Sequence, residues 1–166
     1  MRIVDFRAHG PFGILTTKMK AGGKIVSREN GLEFWEHHSD YGNLNGCYIY
    51  VIAYGKKCVP WYVGKTTRGF ENEVFSGRNL NKYNVAIAKH KRCTPRLFLI
   101  ACAGRTNKRA IHETETFLIR ECKKVNPHLL NRTNVKPRRW EIDGVTKRGQ
   151  RRPTSSSTSL KRMLGL

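Results

Sequence analysis

The sequence predicts an α/β domain of the α+β type: a small, mostly antiparallel three-stranded sheet flanked by helices, with an N-terminal extension and a basic C-terminal arm. Three observations carry this. Residues 46–53 and 59–65 are apolar runs rich in β-branched and aromatic residues, and the turn sequence Gly55-Lys56-Lys57 joins them as a hairpin. Residues 96–103 form a third run of the same kind, ended by Gly104. Between and after these runs the apolar period changes to that of a helix, over residues 80–90 and again beyond Asn107.

Taken in order, residues 1–45 are the least regular. Residues 1–10 alternate apolar and charged side chains instead of forming the apolar core of an export signal. A candidate strand at 13–17, a turn at Ala21-Gly22-Gly23 and the sequence Leu32-Glu33-Phe34-Trp35-Glu36 follow, and the whole segment is expected to cover one face of the domain. Residues 46–53 are apolar on both faces, which predicts a central strand. Pro60 should mark the start of the second strand or an unpaired edge position. After Thr67, Phe70, Val74 and Phe75 fit one helical face, and Tyr83, Val85, Ile87 and Ala88 recur in a helix that Pro95 closes off. Asn107 caps a helix running to about Lys124, stopped before Pro127. The domain proper spans 46–134, with 1–45 before it and a basic, Ser/Thr-rich, flexible arm at 135–166.

With 32 Lys and Arg against 12 Asp and Glu, the chain of 166 residues carries a net charge of +20. So strong a field seeks a polyanion. The longest apolar runs fall well below the roughly 20 residues that span a bilayer, so the partner is nucleic acid rather than membrane and the expected compartment is the cytoplasm. The five cysteines, Cys47, Cys58, Cys93, Cys102 and Cys122, contain no Cys-x-x-Cys pair and sit mostly among apolar neighbours, as small buried hydrophobes do. His37 and His38, with Glu36 and Asp40 beside them, offer a metal site as a lesser alternative, because adjacent side chains in a helix or strand point apart.

In the helix after Asn107, Ile111, Leu118, Ile119 and Cys122 fall within an arc of about 100°, with Glu115 near its centre and Glu113 opposite. An ionised carboxylate in an apolar stripe needs a cation beside it, because leaving it unpartnered costs several kcal/mol. A metal ion and a basic side chain both meet that need.

The order of these features resembles the GIY-YIG nuclease domain. Gly46-Cys47-Tyr48 matches its first motif and Tyr62-Val63-Gly64 its second, and the likeness covers residues 46–134. It implies an arginine after the second motif, a helical glutamate and an asparagine near the domain's end. Arg68, Glu115 and Asn131 are the matching residues, with Arg78 and Glu113 as competitors for the first two roles. Two departures stand out: Cys47 replaces an aliphatic residue, and the spacing from Tyr48 to Tyr62 is a few residues longer than the family's.

The chemistry implied is hydrolysis of a phosphodiester bond in DNA, with RNA as an alternative substrate. Glu115 would hold one Mg²⁺ or Mn²⁺, a hard cation that keeps several waters. Arg68 would place its planar fork on the phosphate. Tyr48 and Tyr62, on neighbouring strands, would orient or activate the water, and Lys65 would lower a phenol's pKa or bind a second phosphate. Asn131 would add a supporting hydrogen bond.

The basic doublets of the arm, Lys136 to Arg139, Lys147-Arg148 and Arg151-Arg152, should add salt-dependent affinity for any nucleic acid. Trp140 among them would pack on the domain or stack on a base. Sequence specificity is left to residues 1–45, to the arm, to a homodimer or to another protein. The competing reading is a non-catalytic basic platform that binds nucleic acid through the same strands.

Overall fold

The computed structural model describes residues 3–90, 92–131, 140–146 and 153–166. The chain begins with β1 (Val4–Gly13), the short pair β2 (Thr17–Lys18) and β3 (Lys24–Ile25), then α1 (Arg28–His37) and α2 (Ser39–Gly42). The hairpin β4 (Gly46–Tyr54) and β5 (Lys57–Thr66) leads to α3 (Phe70–Glu73) and α4 (Gly77–Ala88). β6 (Thr94–Cys102), α5 (Lys108–Val125), β7 (Trp140–Ile142) and α6 (Ser155–Leu164) complete it.

The fold is α+β, but the sheet is wider than the three strands expected. It runs in the order β5-β4-β6-β1-β7, with the first four strands antiparallel and β7 parallel to β1. β4 is central and buried along its length except at Tyr54, as its two apolar faces require. The extra antiparallel strand comes from residues 4–13, not from the stretch 13–17 that looked most like a strand. β1 buries Phe6 and Ala8 and pairs them with Cys102 and Ile100 of β6. The alternation that argues against an export signal is thus the two-residue period of a strand. The rest of the N-terminal segment does cover a face, through Ile14, Val26, Phe34 and Trp35.

Two cores lie on the two faces of the sheet. One contains Cys47, Ile49, Val51 and Val63 of the hairpin with Ile111, Leu118 and Cys122 of α5. The other contains Tyr48, Tyr50, Ile52 and Trp61 with Tyr83, Ala86 and Ile87 of α4. Pro60 sits at a bulge: Tyr50 faces Tyr62, but Val51 faces Pro60, which leaves Trp61 as the extra residue. Because of that bulge Trp61 and Tyr62 both pack on the tyrosine side.

The C-terminal segment also departs from expectation. Instead of a wholly flexible arm, α6 enters the α5 core with Leu160, Met163 and Leu164, spaced three and four residues apart. Thr154 caps its N-terminus by accepting from the Ser157 amide, and Gly165 ends it in the left-handed conformation at φ 69°. The basic doublets expected to bind phosphates, and the side chain of Trp140, lie outside the described residues. Among the described residues no helix is long and apolar enough to cross a membrane.

Leu160 is fully buried, so Leu160→Ala should destabilise the protein by about 2–4 kcal/mol in urea unfolding. An unchanged midpoint would show that α6 contributes nothing to the core.

Candidate functional site

β5 is an edge strand of the sheet, and the proposed site residues other than Arg68 gather on and around its last five positions. Along β5 Tyr62 opposes Tyr50, Gly64 opposes Tyr48 and Lys65 opposes Cys47. Side chains alternate between faces. Tyr48 and Tyr62 therefore belong to the α4 side, and Lys65 with Cys47 to the α5 side.

Two glycines make the tyrosine side possible. A side chain on Gly46, at φ 154°, would overlap the carbonyl oxygen of Ile100 on β6. At Gly64 the backbone is ordinary, but an added Cβ would stand 2.6 Å from Tyr48 Cε2 and closer still to the hydroxyl end of the ring. The Tyr48 phenol thus lies across the β5 backbone at the one residue that leaves room for it.

Tyr48 is fully buried, with ring centroids 6.2 Å from Tyr62 and 6.4 Å from Phe70. Its hydroxyl accepts a hydrogen bond from Asn79 Nδ2 at 2.7 Å, and the same nitrogen donates to the Glu73 carbonyl at 2.8 Å. Burial pushes the phenol well above the ordinary tyrosine value, and the charges of Tyr62, Glu73 and Glu115 raise it further against the opposing Asn79 bond. Of the two phenols that a neighbouring cation was expected to acidify, Tyr48 is therefore ruled out: it stays protonated at neutral pH, and among the described residues its hydroxyl only accepts, from Asn79. Tyr62 is half-buried and carries the Lys82 ammonium 4.0 Å above its ring centroid. Tyr50 has a structural place, stacked at 4.1 Å on Tyr83.

Glu115 reaches β5 from the opposite layer. Its carboxylate pairs with Lys65 Nζ, which also donates to His112 Nδ1 at 2.9 Å. The buried stripe of α5 includes Ala110, Thr114, Phe117 and Glu121, so its centre lies near Thr114 and Glu115 stands on its flank. Glu113 occupies the other flank and pairs with Arg109 at 3.0 Å. The acid is thus a rim residue rather than an inward one. Its partner Lys65 follows Gly64 in β5, over which the Tyr48 ring lies on the opposite face.

Asn131 grips the free edge of β5 between the two. Its Oδ1 accepts from the Val63 amide at 2.9 Å and its Nδ2 donates to the Val63 carbonyl at 2.7 Å. Leu130 N–H donates to the Trp61 carbonyl just before it. Asn131 therefore completes a strand-like ladder and fixes the height of Tyr62 and Gly64.

The arginine is not drawn into this group. Arg68 is exposed in the turn after β5, where its amide donates to Thr66 Oγ1 and its carbonyl accepts from Asn72. Arg78 is likewise exposed, in the first turn of α4. Asn79, Glu73 and His112 are the site residues that sequence reasoning misses. Asn79 carried one signal, its place four residues before Tyr83 on the buried face of a helix.

Among the described residues no group of three or more His, Cys, Asp or Glu is placed to hold a metal ion. Glu115, with His112 beside it, offers two donors on a solvent-facing rim, which fits a cation that keeps most of its waters. The His37 and His38 pair does not offer this: His38 packs its ring on Phe12 and Phe34, and His37 bonds the Glu33 carbonyl. The cysteines are free, four of them buried and Cys58 half-buried.

Gly64→Ala should force the Tyr48 ring aside and destabilise the protein by about 1–3 kcal/mol, read as a lowered urea midpoint with altered near-ultraviolet circular dichroism. Gly13→Ala, where an added Cβ meets nothing within 4 Å, is the control and should change stability by less than about 0.5 kcal/mol. Equal midpoints for the two variants would refute the close approach. No family model, curated protein or solved structure matches this chain, and the chemistry of the site rests on its own residues.

Proposed function

We propose that the protein is a metal-dependent endonuclease that hydrolyses phosphodiester bonds in DNA. The observation that carries this reading is the convergence on the end of β5: the Tyr48 ring lies over Gly64 on one face, and Glu115 pairs with the next residue, Lys65, on the other. The net charge of +20 supplies the attraction for the polyanion, and the motif order that resembles the GIY-YIG domain supports the same assignment.

In this reading Glu115 holds a single Mg²⁺ or Mn²⁺, which when bound neutralises charge on the phosphoryl and leaving oxygens. Tyr48, buried beneath the edge strand in the free chain, would donate its proton to the attacking water or a phosphoryl oxygen once bound nucleic acid opens that edge, and Asn79 fixes the direction of its hydroxyl. Tyr62, half-buried under Lys82, lines the approach to the same point. Lys65 leaves Glu115 to meet the incoming phosphate, a role suited to a compact charge on a flexible stem. Arg68, exposed just past the end of β5, would fork onto a phosphate once nucleic acid lies along that edge. Asn131 keeps β5 in register under the reacting groups.

One observation favours a second reading: Lys65 already neutralises Glu115, as a structural ion pair would in a non-catalytic binding platform. Plasmid nicking separates the two. With Mg²⁺ or Mn²⁺ the natural protein should nick supercoiled DNA, EDTA should stop it, and Glu115→Ala should lower the rate at least about 100-fold while leaving the gel shift of DNA nearly intact. Tyr48→Phe, which keeps the ring and removes the donated proton, should cost a similar factor. DNA shifted equally by all variants with no cutting would leave only the binding platform.

A further inference from the structure

The cation that Glu115 holds in the folded chain is an ammonium, and a second ligand stands with it. Lys65 Nζ bonds both Glu115 and His112 Nδ1, the latter at 2.9 Å. His112 and Glu115 are three residues apart on α5, so their side chains lie on one face, with Nδ1 3.5 Å from the nearer carboxylate oxygen. An ammonium has donors and no lone pair. His112 Nδ1 must therefore accept, which puts the proton on Nε2 and aims the Nδ1 lone pair at the point where positive charge sits. That is the tautomer a metal-bound imidazole uses. The distances agree, because two neighbouring ligands about 2.1 Å from one octahedral cation stand about 3 Å apart. Closing the present separation to that value needs a shift of well under 1 Å.

From this arrangement we propose that His112 and Glu115 together form the protein's half of the divalent-cation site, and that Lys65 is its displaceable resident. The proposal rests on the assignment of Glu115 as the metal ligand and adds the ion's identity and a built-in competitor. A carboxylate alone suits Mg²⁺, whereas an imidazole beside it shifts preference toward Mn²⁺, Co²⁺ and the later first-row ions. Water and substrate phosphate complete the coordination shell. With Lys65 bound to both donors, metal entry costs the separation of an ion pair, so the free protein binds metal weakly. A DNA phosphate that draws Lys65 away frees both donors, and metal and nucleic acid then bind cooperatively.

Metal binding, measured apart from cleavage, tests this. Free Mn²⁺ is followed by its electron paramagnetic resonance signal in titrations of the full chain, with Mg²⁺ as competitor. Lys65→Met should tighten both ions by about tenfold or more. In that background His112→Ala should weaken Mn²⁺ by about tenfold or more and leave Mg²⁺ within about threefold. The His112 side chain is 66% exposed, so the second substitution leaves the core untouched. Mn²⁺ affinity that ignores His112, or that does not rise when Lys65 is removed, overturns the proposal. Plasmid nicking by the natural protein, with the same metal ions, keeps the two readings apart. Cleavage with metal affinities blind to His112 would sink this inference alone, and the predicted affinities without cleavage would sink only the nuclease.

Discussion

The site depends on one missing side chain. In a strand, neighbouring residues face opposite layers, so groups at positions 64 and 65 of β5 are separated by the sheet itself. At Gly64 the sheet is only backbone thick, and it is also the edge. The Tyr48 ring uses the vacated space to lie over β5 on its own face, one residue from Lys65, which pairs with Glu115 on the other. Any larger residue there would displace the Tyr48 ring within the aromatic layer and move the phenol off the end of β5 beside Lys65.

Several other contacts hold that edge in place. A free strand edge exposes amides and carbonyls that pair with whatever arrives. Here Asn131 and Leu130 occupy the ladder positions at Val63 and Trp61, while Asn126 donates to the Pro60 carbonyl at 2.8 Å. The bulge at Pro60 turns both Trp61 and Tyr62 toward the aromatic layer. Asn79, 1% exposed, ties the Tyr48 hydroxyl to the end of α3, while its own Oδ1 is buried without a hydrogen-bond partner. A buried amide left half-satisfied costs roughly 1–3 kcal/mol, and such costs persist where the geometry they enforce is used. The hydroxyl it fixes is the one assigned to orient the substrate.

Legibility in the sequence followed locality. The hairpin, the central strand and the Asn107 cap of α5 are written in windows of ten residues or so, and each stands where the pattern put it. β1 carries the same quality of signal, but its partner β6 is some ninety residues away, and strand order across such a gap has no local trace. In α6 the apolar spacing of Leu160, Met163 and Leu164 is hidden among serines and basic residues, a composition that reads as a solvated arm. The position of Glu115 was blurred for a related reason. Thr114 and Glu121 are polar in name yet buried in fact, and counting them moves the centre of the stripe away from Glu115. That Tyr48 and Tyr62 share one face of neighbouring strands follows from the hairpin, and Asn131 joins them through Val63. The Asn79 and His112 partnerships arise only when separate elements pack, and no spacing encodes them.

A divalent cation bound by Glu115 would stand close to the phenols across β5, and paramagnetic broadening measures that directly. In a protein with ring-labelled tyrosines, substoichiometric Mn²⁺ should broaden Tyr48 and Tyr62 selectively. Tyr54, six residues along β4 and about 20 Å from Tyr48, should stay sharp. Broadening that spares Tyr48 and Tyr62, or that falls on all tyrosines alike, would contradict the convergence at Gly64.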